Sequence, residues 1–468
     1  MNTLNKGKRP RKVYCLLLMI IGLGVYFRFY DTLYQSLWMD ELFSAGFSDP
    51  DNSLSEVFRV TVEDVHPPLY QMILWCAYKI FGYHEMIGRY LSLCFGIVLI
   101  PAMFMLGRRL FDDKTGLLVA FLSAVNIFLI LSSQEVRSYS LLIVLTVLSF
   151  VTFLDLLRQQ TIRSMMIYMV VGALLVNTHY FGFFPIMVQA VLLGYESFRE
   201  GFKKRLFYRA LVSGGGMLVS LLPIVPYIII NAGKKAVWIH RPVNDFVEIA
   251  FLKHFGNATL GVLFVGLLII GLSQMLQHDK HRDALRLLVL WWTGTLAISY
   301  IRSTFQTPIL SYRNTIVLLP VTLLVVAYAI RSVRDRFTRY TIVVFILSMS
   351  MAHLWGERNL PSFERAALDW RSATQKVIGD NKNIPVYGYG SDLYTTYFKL
   401  LGSSIKVEPT EVVEEKMKRQ TAPEHFYILD LSENYAMKNN YPGQYAVVLI
   451  AHTVYDGTAV LEFRSLQR

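Results

Sequence analysis

The chain has 468 residues, of which 54% are hydrophobic, 14% aromatic and only 17% charged. That balance excludes an ordinary soluble protein of this length and places the chain among integral membrane proteins. Its formal net charge of +12 does not point to nucleic acid, because the Lys and Arg residues sit in short clusters between apolar segments. No basic face with interleaved aromatics is left to read a polynucleotide.

In chain order, the basic run Lys6-Gly7-Lys8-Arg9-Pro10-Arg11-Lys12 precedes an apolar segment over 13–30. A basic flank without a small-residue cleavage site predicts a retained anchor with a cytoplasmic N-terminus. Further spans are expected over 87–107, 116–133, 138–156, 163–179, 181–197, 207–230, 259–276, 286–301, 309–330 and 340–356. Alone or with flanking residues, these runs approach the roughly 20 residues a helix needs to cross hydrocarbon, and they lack the alternation of a barrel. Basic clusters at 108–114, 158–163, 199–205, 280–286 and 331–339 fall in alternate loops, the positive-inside pattern. The expected fold is therefore an α-helical polytopic membrane protein of about 11 spans with its C-terminus outside.

The stretch 69–81 is apolar but short and opens at Pro67-Pro68. It is expected to lie on the outer surface as a helix within a first extracytoplasmic loop, 31–86. After residue 357 the character changes. Strand-like segments at 384–389, 426–430 and 446–450 alternate with helical patterns at 393–401 and 410–419. This predicts a transmembrane domain over 1–356 followed by a small extracytoplasmic α/β domain over 357–468. Cys15, Cys76 and Cys94 show no disulfide or zinc spacing and are expected to be packing residues.

Ionisable groups held at a membrane surface are costly unless they act, so those on the expected outer side carry the functional argument. The first loop holds Trp38-Met39-Asp40-Glu41 and Glu63-Asp64-Val65-His66-Pro67-Pro68. The same side receives Gln134-Glu135-Val136-Arg137-Ser138-Tyr139, Thr178-His179-Tyr180, Lys234-Lys235, Trp238-Ile239-His240-Arg241, Lys253-His254 and the segment 302–313. Carboxylates, histidines, tyrosines and isolated arginines on one face suit acid/base chemistry beside a phosphate. Arginine neutralises phosphate oxygens while a carboxylate takes a proton from a hydroxyl.

Asp-Glu after the first span, His66-Pro67-Pro68-Leu69 before a surface helix, Gly-Arg-Tyr-Leu-Ser over 88–92 and Gly-Arg-Arg-Leu-Phe over 107–111 resemble the membrane glycosyltransferases of the C superfamily. The match is to the protein O-mannosyltransferase and aminoarabinose-transferase group. Ser133 to Tyr139 and Thr178-His179-Tyr180-Phe181-Gly182 are similar to further recurring segments. The resemblance covers roughly 10–230, extends weakly to Ser311-Tyr312-Arg313 and says little about 357–468.

What it implies is inverting transfer of a sugar from a polyprenyl-phosphate carrier to a lipid, glycan or protein acceptor on the outer face, with Asp40 as the base. A single carboxylate suffices, because a phosphate leaving group needs its charge met rather than a proton. Aminoarabinose transferases carry Glu-Lys-Pro-Pro where this chain has Val65-His66-Pro67-Pro68. The glutamate that helps hold a metal there is thus absent. A divalent metal ion stays an open option, with Asp40, His66 and His240 as candidate ligands.

Each residue also has a structural reading. Asp40 and Glu41 point about 100° apart on a helix, so they serve one substrate poorly as a pair, although both stand as catalytic candidates. His66, Arg137, Tyr312 and Arg313 are expected around the donor phosphate, with Tyr300 as a companion to Arg313. Each could instead cap a helix, pair within the protein or reach the lipid headgroups. Glu135, Tyr139, His179, Tyr180, His240 and Arg241 are expected to bind substrate or to form polar turns. A transporter or flippase of lipid-linked sugar is the alternative function. Its charges usually sit near the midplane of repeated halves, and no duplicated half is visible here.

Overall fold

The computed structural model describes residues 11–466 apart from 65, 232–238, 240, 242–245, 357–367, 381–383 and 433–440. A long apolar run gives α1 (Arg11–Phe29), after which three short helices form the first loop: α2 (Met39–Phe47), α3 (Leu54–Glu63) and α4 (Leu69–Phe81). The bundle continues with α5 (Glu85–Leu110), α6 (Asp113–Val125), α7 (Ile127–Ser133), α8 (Tyr139–Gln159), α9 (Ile162–Val176) and α10 (Phe183–Phe198). It closes with α11 (Lys204–Leu221), α12 (Val225–Asn231), α13 (Phe246–Phe255), α14 (Ala258–Gln277), α15 (Arg282–Phe305), α16 (Leu319–Ser332) and α17 (Arg336–Gly356).

Among the described residues, eight helices are long and apolar enough to cross a membrane, or ten when two bent pairs are each one span. The chain is a multi-pass membrane protein. The eleventh expected span is α9, whose 15 residues rise about 22 Å, less than a typical hydrocarbon core. Side chains such as Leu18 and Met19 on α1 and Val262 and Ile269 on α14 are exposed, as lipid-facing surfaces require. By contrast α8 and α16 are buried along most of their length and form the centre of the bundle. Cys15, Cys76 and Cys94 are all exposed, which corrects their expected place in the packing.

Both bends have local causes. The α6–α7 pair turns by 60° at Asn126, whose side chain caps α7 by accepting the Leu129 amide at 3.0 Å. The α11–α12 pair turns by 68° across a break that contains Pro223, which has no amide hydrogen to continue the ladder.

Beyond the bundle, α18 (Trp370–Asp380), β1 (Val386–Gly388), α19 (Ser391–Leu400), β2 (Val407–Pro409), α20 (Thr410–Lys418), β3 (His425–Leu431), α21 (Tyr441–Gln444), β4 (Val447–Val454) and β5 (Thr458–Ser465) build a mixed α/β unit. The strand order is β2-β1-β3-β5-β4, parallel across the first three and antiparallel across the last three. The sequence predicts β1, β3, β4, α19 and α20. It misses β2, which is three residues long, and β5, which is buried at all positions but one and so does not alternate.

This unit packs on the first loop. Helix α19 lies against α2 so closely that a Cβ at Gly46 would stand 3.0 Å from Thr396 Oγ1. Lys399 Nζ donates to Asp49 Oδ2 at 2.7 Å and to Asp51 Oδ2 at 3.0 Å, and Ser36 Oγ donates to the Leu368 carbonyl at 2.7 Å. One hydrophobic core runs from the bundle through α2 into α18 and α19.

Candidate active site at one end of the bundle

The site is assembled from the start of α2 and three turns: 134–138, 177–180 and 311–313. At the start of α2 two adjacent carboxylates part company. Glu41 is fully buried; its Oε2 accepts the Trp38 amide at 3.1 Å and its Oε1 accepts the Val136 amide at 2.8 Å. It therefore joins the first turn of α2 to the 134–138 turn, a structural role that its full burial supports. Removing it would leave the buried Val136 amide unpaired, a loss of about 1–3 kcal/mol, and would free the part-buried Trp38 amide as well. The Asp40 side chain keeps 34% of its exposure.

The 134–138 turn is tied down from two sides. Gln134 Nε2 donates to the carbonyls of Arg28 and Tyr30 at 3.0 and 3.1 Å, while Glu41 holds Val136. This fixes Arg137. Its Nη1 donates to the Asp40 carbonyl and to Ser44 Oγ, both at 3.1 Å. Its Nη2 lies 3.6 Å from Asp40 Oδ2 and 3.4 Å from His66 Nε2. Because the guanidinium can only donate, Nε2 of His66 accepts, and its Nδ1 proton goes to Asp64 Oδ2 at 2.8 Å. Burial works against the Arg137 charge, but Asp40, Tyr139 and Glu135 together hold it above its ordinary value.

Arg313 belongs to the same neighbourhood, where the Asp40 charge is felt. Its guanidinium lies 4.3 Å from the Trp38 ring centre and 5.7 Å from that of Tyr312. The partner rings are thus Trp38 and Tyr312, whereas Tyr300 is exposed on α15. A small cleft opens between Phe128, Leu131, Ser132, Glu135, Tyr139, Tyr312 and Arg313. Burial opposes the Arg313 charge too, and nearby Glu135, Tyr312, Tyr139 and Asp40 outweigh it and raise its pKa.

The 311–313 turn is steadied by His254 on α13, whose Nε2 donates to the Tyr312 carbonyl at 3.0 Å. Burial pushes His254 down to about 4, so it supports the turn as a neutral ring. His254 is a positioning residue that the sequence places only in an inventory of polar groups.

The 177–180 turn completes the cluster. His179 Nδ1 accepts the Phe181 amide at 3.1 Å and its ring centre lies 5.9 Å from that of Tyr139. Burial, then His66 and Arg137, push its pKa down to about 3. It is therefore neutral, with its proton on Nε2. Tyr180 stacks on Phe183, with ring centres 6.4 Å apart. Arg241 is exposed, and His240 lies outside the described residues.

A metal ion fits the described residues poorly. Among them no three His, Cys, Asp or Glu side chains converge where an ion could be held. The Arg137 guanidinium already stands between Asp40 and His66, two of the expected ligands.

Residues 65–230 match the family model for dolichyl-phosphate-mannose-protein mannosyltransferases. Across 95% of this chain and 97% of the other, the structure superposes on ArnT from Cupriavidus metallidurans bound to undecaprenyl phosphate, with a TM-score of 0.66 at 10% identity. The fold is that of the C-superfamily membrane glycosyltransferases. The same fold links the chain to the Archaeoglobus fulgidus oligosaccharyltransferase complexed with Zn and sulfate, with a TM-score of 0.56 at 12% identity over 91% of this chain and 69% of that one. It also links it to AglB of Archaeoglobus fulgidus in complex with an inhibitory peptide and a dolichol-phosphate, with a TM-score of 0.52 at 10% identity over 96% and 74%. Among curated proteins, none matches the chain. In this C-superfamily fold the family match begins at the loop carrying His66 and spans the turns carrying Arg137 and His179.

Proposed function

We propose that the chain is an inverting glycosyltransferase that moves a sugar from a polyprenyl-phosphate carrier to an acceptor hydroxyl or phosphate at the outer face of the membrane. The observation that carries this reading is a part-exposed Asp40 carboxylate with the Arg137 guanidinium 3.6 Å away and the Arg313 charge in the same neighbourhood. Fold likeness to proteins whose structures hold undecaprenyl phosphate and dolichol-phosphate supports a lipid-phosphate donor. The carrier phosphate enters against the arginines. They stay charged throughout and meet the charge that builds on the departing phosphate.

Asp40 accepts the acceptor proton as its oxygen attacks the anomeric carbon from the face opposite the phosphate, so the configuration inverts. His66 offers its ring edge beside Arg137 and is held by Asp64. Tyr139, Glu135 and Tyr312 line the cleft in which the sugar or acceptor is seated. The basic loops at the other end of the spans support an extracytoplasmic position for this end of the bundle and for the C-terminal unit packed on it.

The test is purified protein in proteoliposomes with polyprenyl-phosphate carrying a radiolabelled sugar. Label appearing on an acceptor together with free polyprenyl phosphate supports the transferase. Movement of intact donor across the bilayer without bond cleavage supports a flippase instead.

A further inference from the structure

Four alternating charges run from the C-terminal unit to the first turn of α2. Arg371 on α18 grips both oxygens of Glu85, with Nη2 at 2.5 Å from Oε1 and Nε at 3.1 Å from Oε2. Glu85 Oε1 lies 3.4 Å from Arg89 Nη1 one turn along α5, and Arg89 Nη2 lies 3.9 Å from Glu41 Oε2. Tyr397 on α19 donates its hydroxyl to Glu85 Oε2 at 3.0 Å and accepts the Leu37 amide at 3.2 Å. Arg89 and Arg371 each donate to the Gln35 carbonyl at 2.8 Å; Arg89 also reaches the Thr32 carbonyl and Arg371 that of Leu33.

Glu41, Glu85 and Arg89 are buried, so these contacts are not exposed ion pairs of little consequence. A buried series of opposite charges is stable only when every member is present, because each charge loses its compensation when a neighbour is removed. Docking the C-terminal unit does not require such a series, since α19 on α2 and Lys399 on Asp49 and Asp51 already dock it. What the series adds is its end point. Glu41 holds the Trp38 and Val136 amides, two residues before Asp40 and one before Arg137 respectively.

We propose that Arg371, Glu85 and Arg89 are positioning residues through which the C-terminal unit sets the placement of Asp40 and Arg137. The inference rests on the transferase reading for its catalytic consequence, but its geometric content stands apart from it. None of the three touches substrate; they act through Glu41.

The test compares Arg371→Ala and Arg371→Lys with Lys399→Ala, which breaks a contact between the same two regions outside the series. Hydrogen–deuterium exchange over 37–47 and 134–139 reads the geometry without turnover, so it decides the relay even if no transfer is found. Arg371→Ala should speed exchange in both segments and Lys399→Ala in neither. In the transfer assay, Arg371→Ala should lower kcat about tenfold or more while donor KM stays within about threefold. Arg371→Lys should recover part of that loss, and Lys399→Ala should stay near wild type. Unchanged exchange over 134–139 in a folded Arg371→Ala protein, or equal effects from Arg371→Ala and Lys399→Ala, overturns the relay. If Arg371→Ala does not fold, Tyr397→Phe removes one hydroxyl from the series and should show the same pattern at smaller size; no change in either readout there overturns it as well.

Discussion

Arg137 holds Asp40 by both ends: one guanidinium nitrogen donates to its carbonyl at 3.1 Å and the other lies 3.6 Å from its carboxylate. A single side chain thus fixes the backbone of the candidate base and supplies the charge beside it. Ser44, one turn along α2, takes a further bond from the same guanidinium at 3.1 Å.

Arg137→Lys keeps the charge but loses the planar fork, so it cannot serve the carbonyl, the hydroxyl and a phosphate together. Donor KM is expected to rise and kcat to fall, with kcat/KM down about tenfold or more, and Arg137→Ala should be worse. Arg313→Ala should likewise raise donor KM and lower kcat. Steady-state kinetics with a polyprenyl-phosphate sugar, beside direct binding of polyprenyl phosphate, checks both. Unaltered binding in the two alanine variants would reassign the arginines to packing.

His179 links the site to stability at low pH. Its folded pKa of about 3 lies below its ordinary value of 6.5, so the unfolded chain binds more protons between those values. Its contribution is therefore complete above about pH 6.5 and is lost progressively as the pH falls towards about 3. His179→Asn, which cannot titrate, should show a smaller drop in apparent Tm from about pH 7 to about pH 5 than the parent protein. Buried His254 has its own depressed pKa, so part of the drop should persist. An identical pH dependence in parent and variant would contradict the assignment.

Gly88 opens the Gly-Arg-Tyr-Leu-Ser motif, and the structure supplies its reason. A Cβ there would stand 2.6 Å from the Tyr78 hydroxyl and 2.8 Å from Val136 Cγ1. Gly88→Ala should cost about 1–3 kcal/mol by overpacking. It should also slow transfer, because Val136 carries the amide held by Glu41 and precedes Arg137. Thermal scans and turnover together check this; a stable, fully active variant would show that the turn tolerates displacement.

Much of this was legible in the sequence because it is written in composition and order. Apolar runs with alternating basic loops mark the bundle, and Asp40, His66, Arg137, His179 and Arg313 fall in short polar segments between them. Less legible was which of two adjacent carboxylates turns inward. That depends on the Val136 amide, 95 positions away, meeting Glu41. Ser44 carried a usable signal, since it lies four residues from Asp40 on one helix and so shares its face. His254 carried none, because its role follows from the position of the Tyr312 carbonyl rather than from any motif. The relay from Arg371 is equally invisible, because it joins residues 286 positions apart.

The expected orientation places the first loop and the C-terminal unit on the same, extracytoplasmic side. In a background lacking Cys15, Cys76 and Cys94, single cysteines at exposed Ser55 and Lys418 should both react with an impermeant thiol reagent in intact cells. A cysteine at exposed Gln159, beside the Arg158 cluster, should react only after permeabilisation. Protection of Ser55→Cys or Lys418→Cys in intact cells would reverse or break the orientation.

The central claim is that Asp40 is the base of a sugar transfer, and kcat of Asp40→Asn with a polyprenyl-phosphate sugar donor tests it most directly. Asparagine keeps the size and the backbone bonds to Arg137 and Ser44 but cannot accept the proton. The account predicts a fall of at least about 10²-fold in kcat with binding of polyprenyl phosphate largely retained. Near-normal turnover by a folded Asp40→Asn protein would contradict it and remove Asp40 from the mechanism.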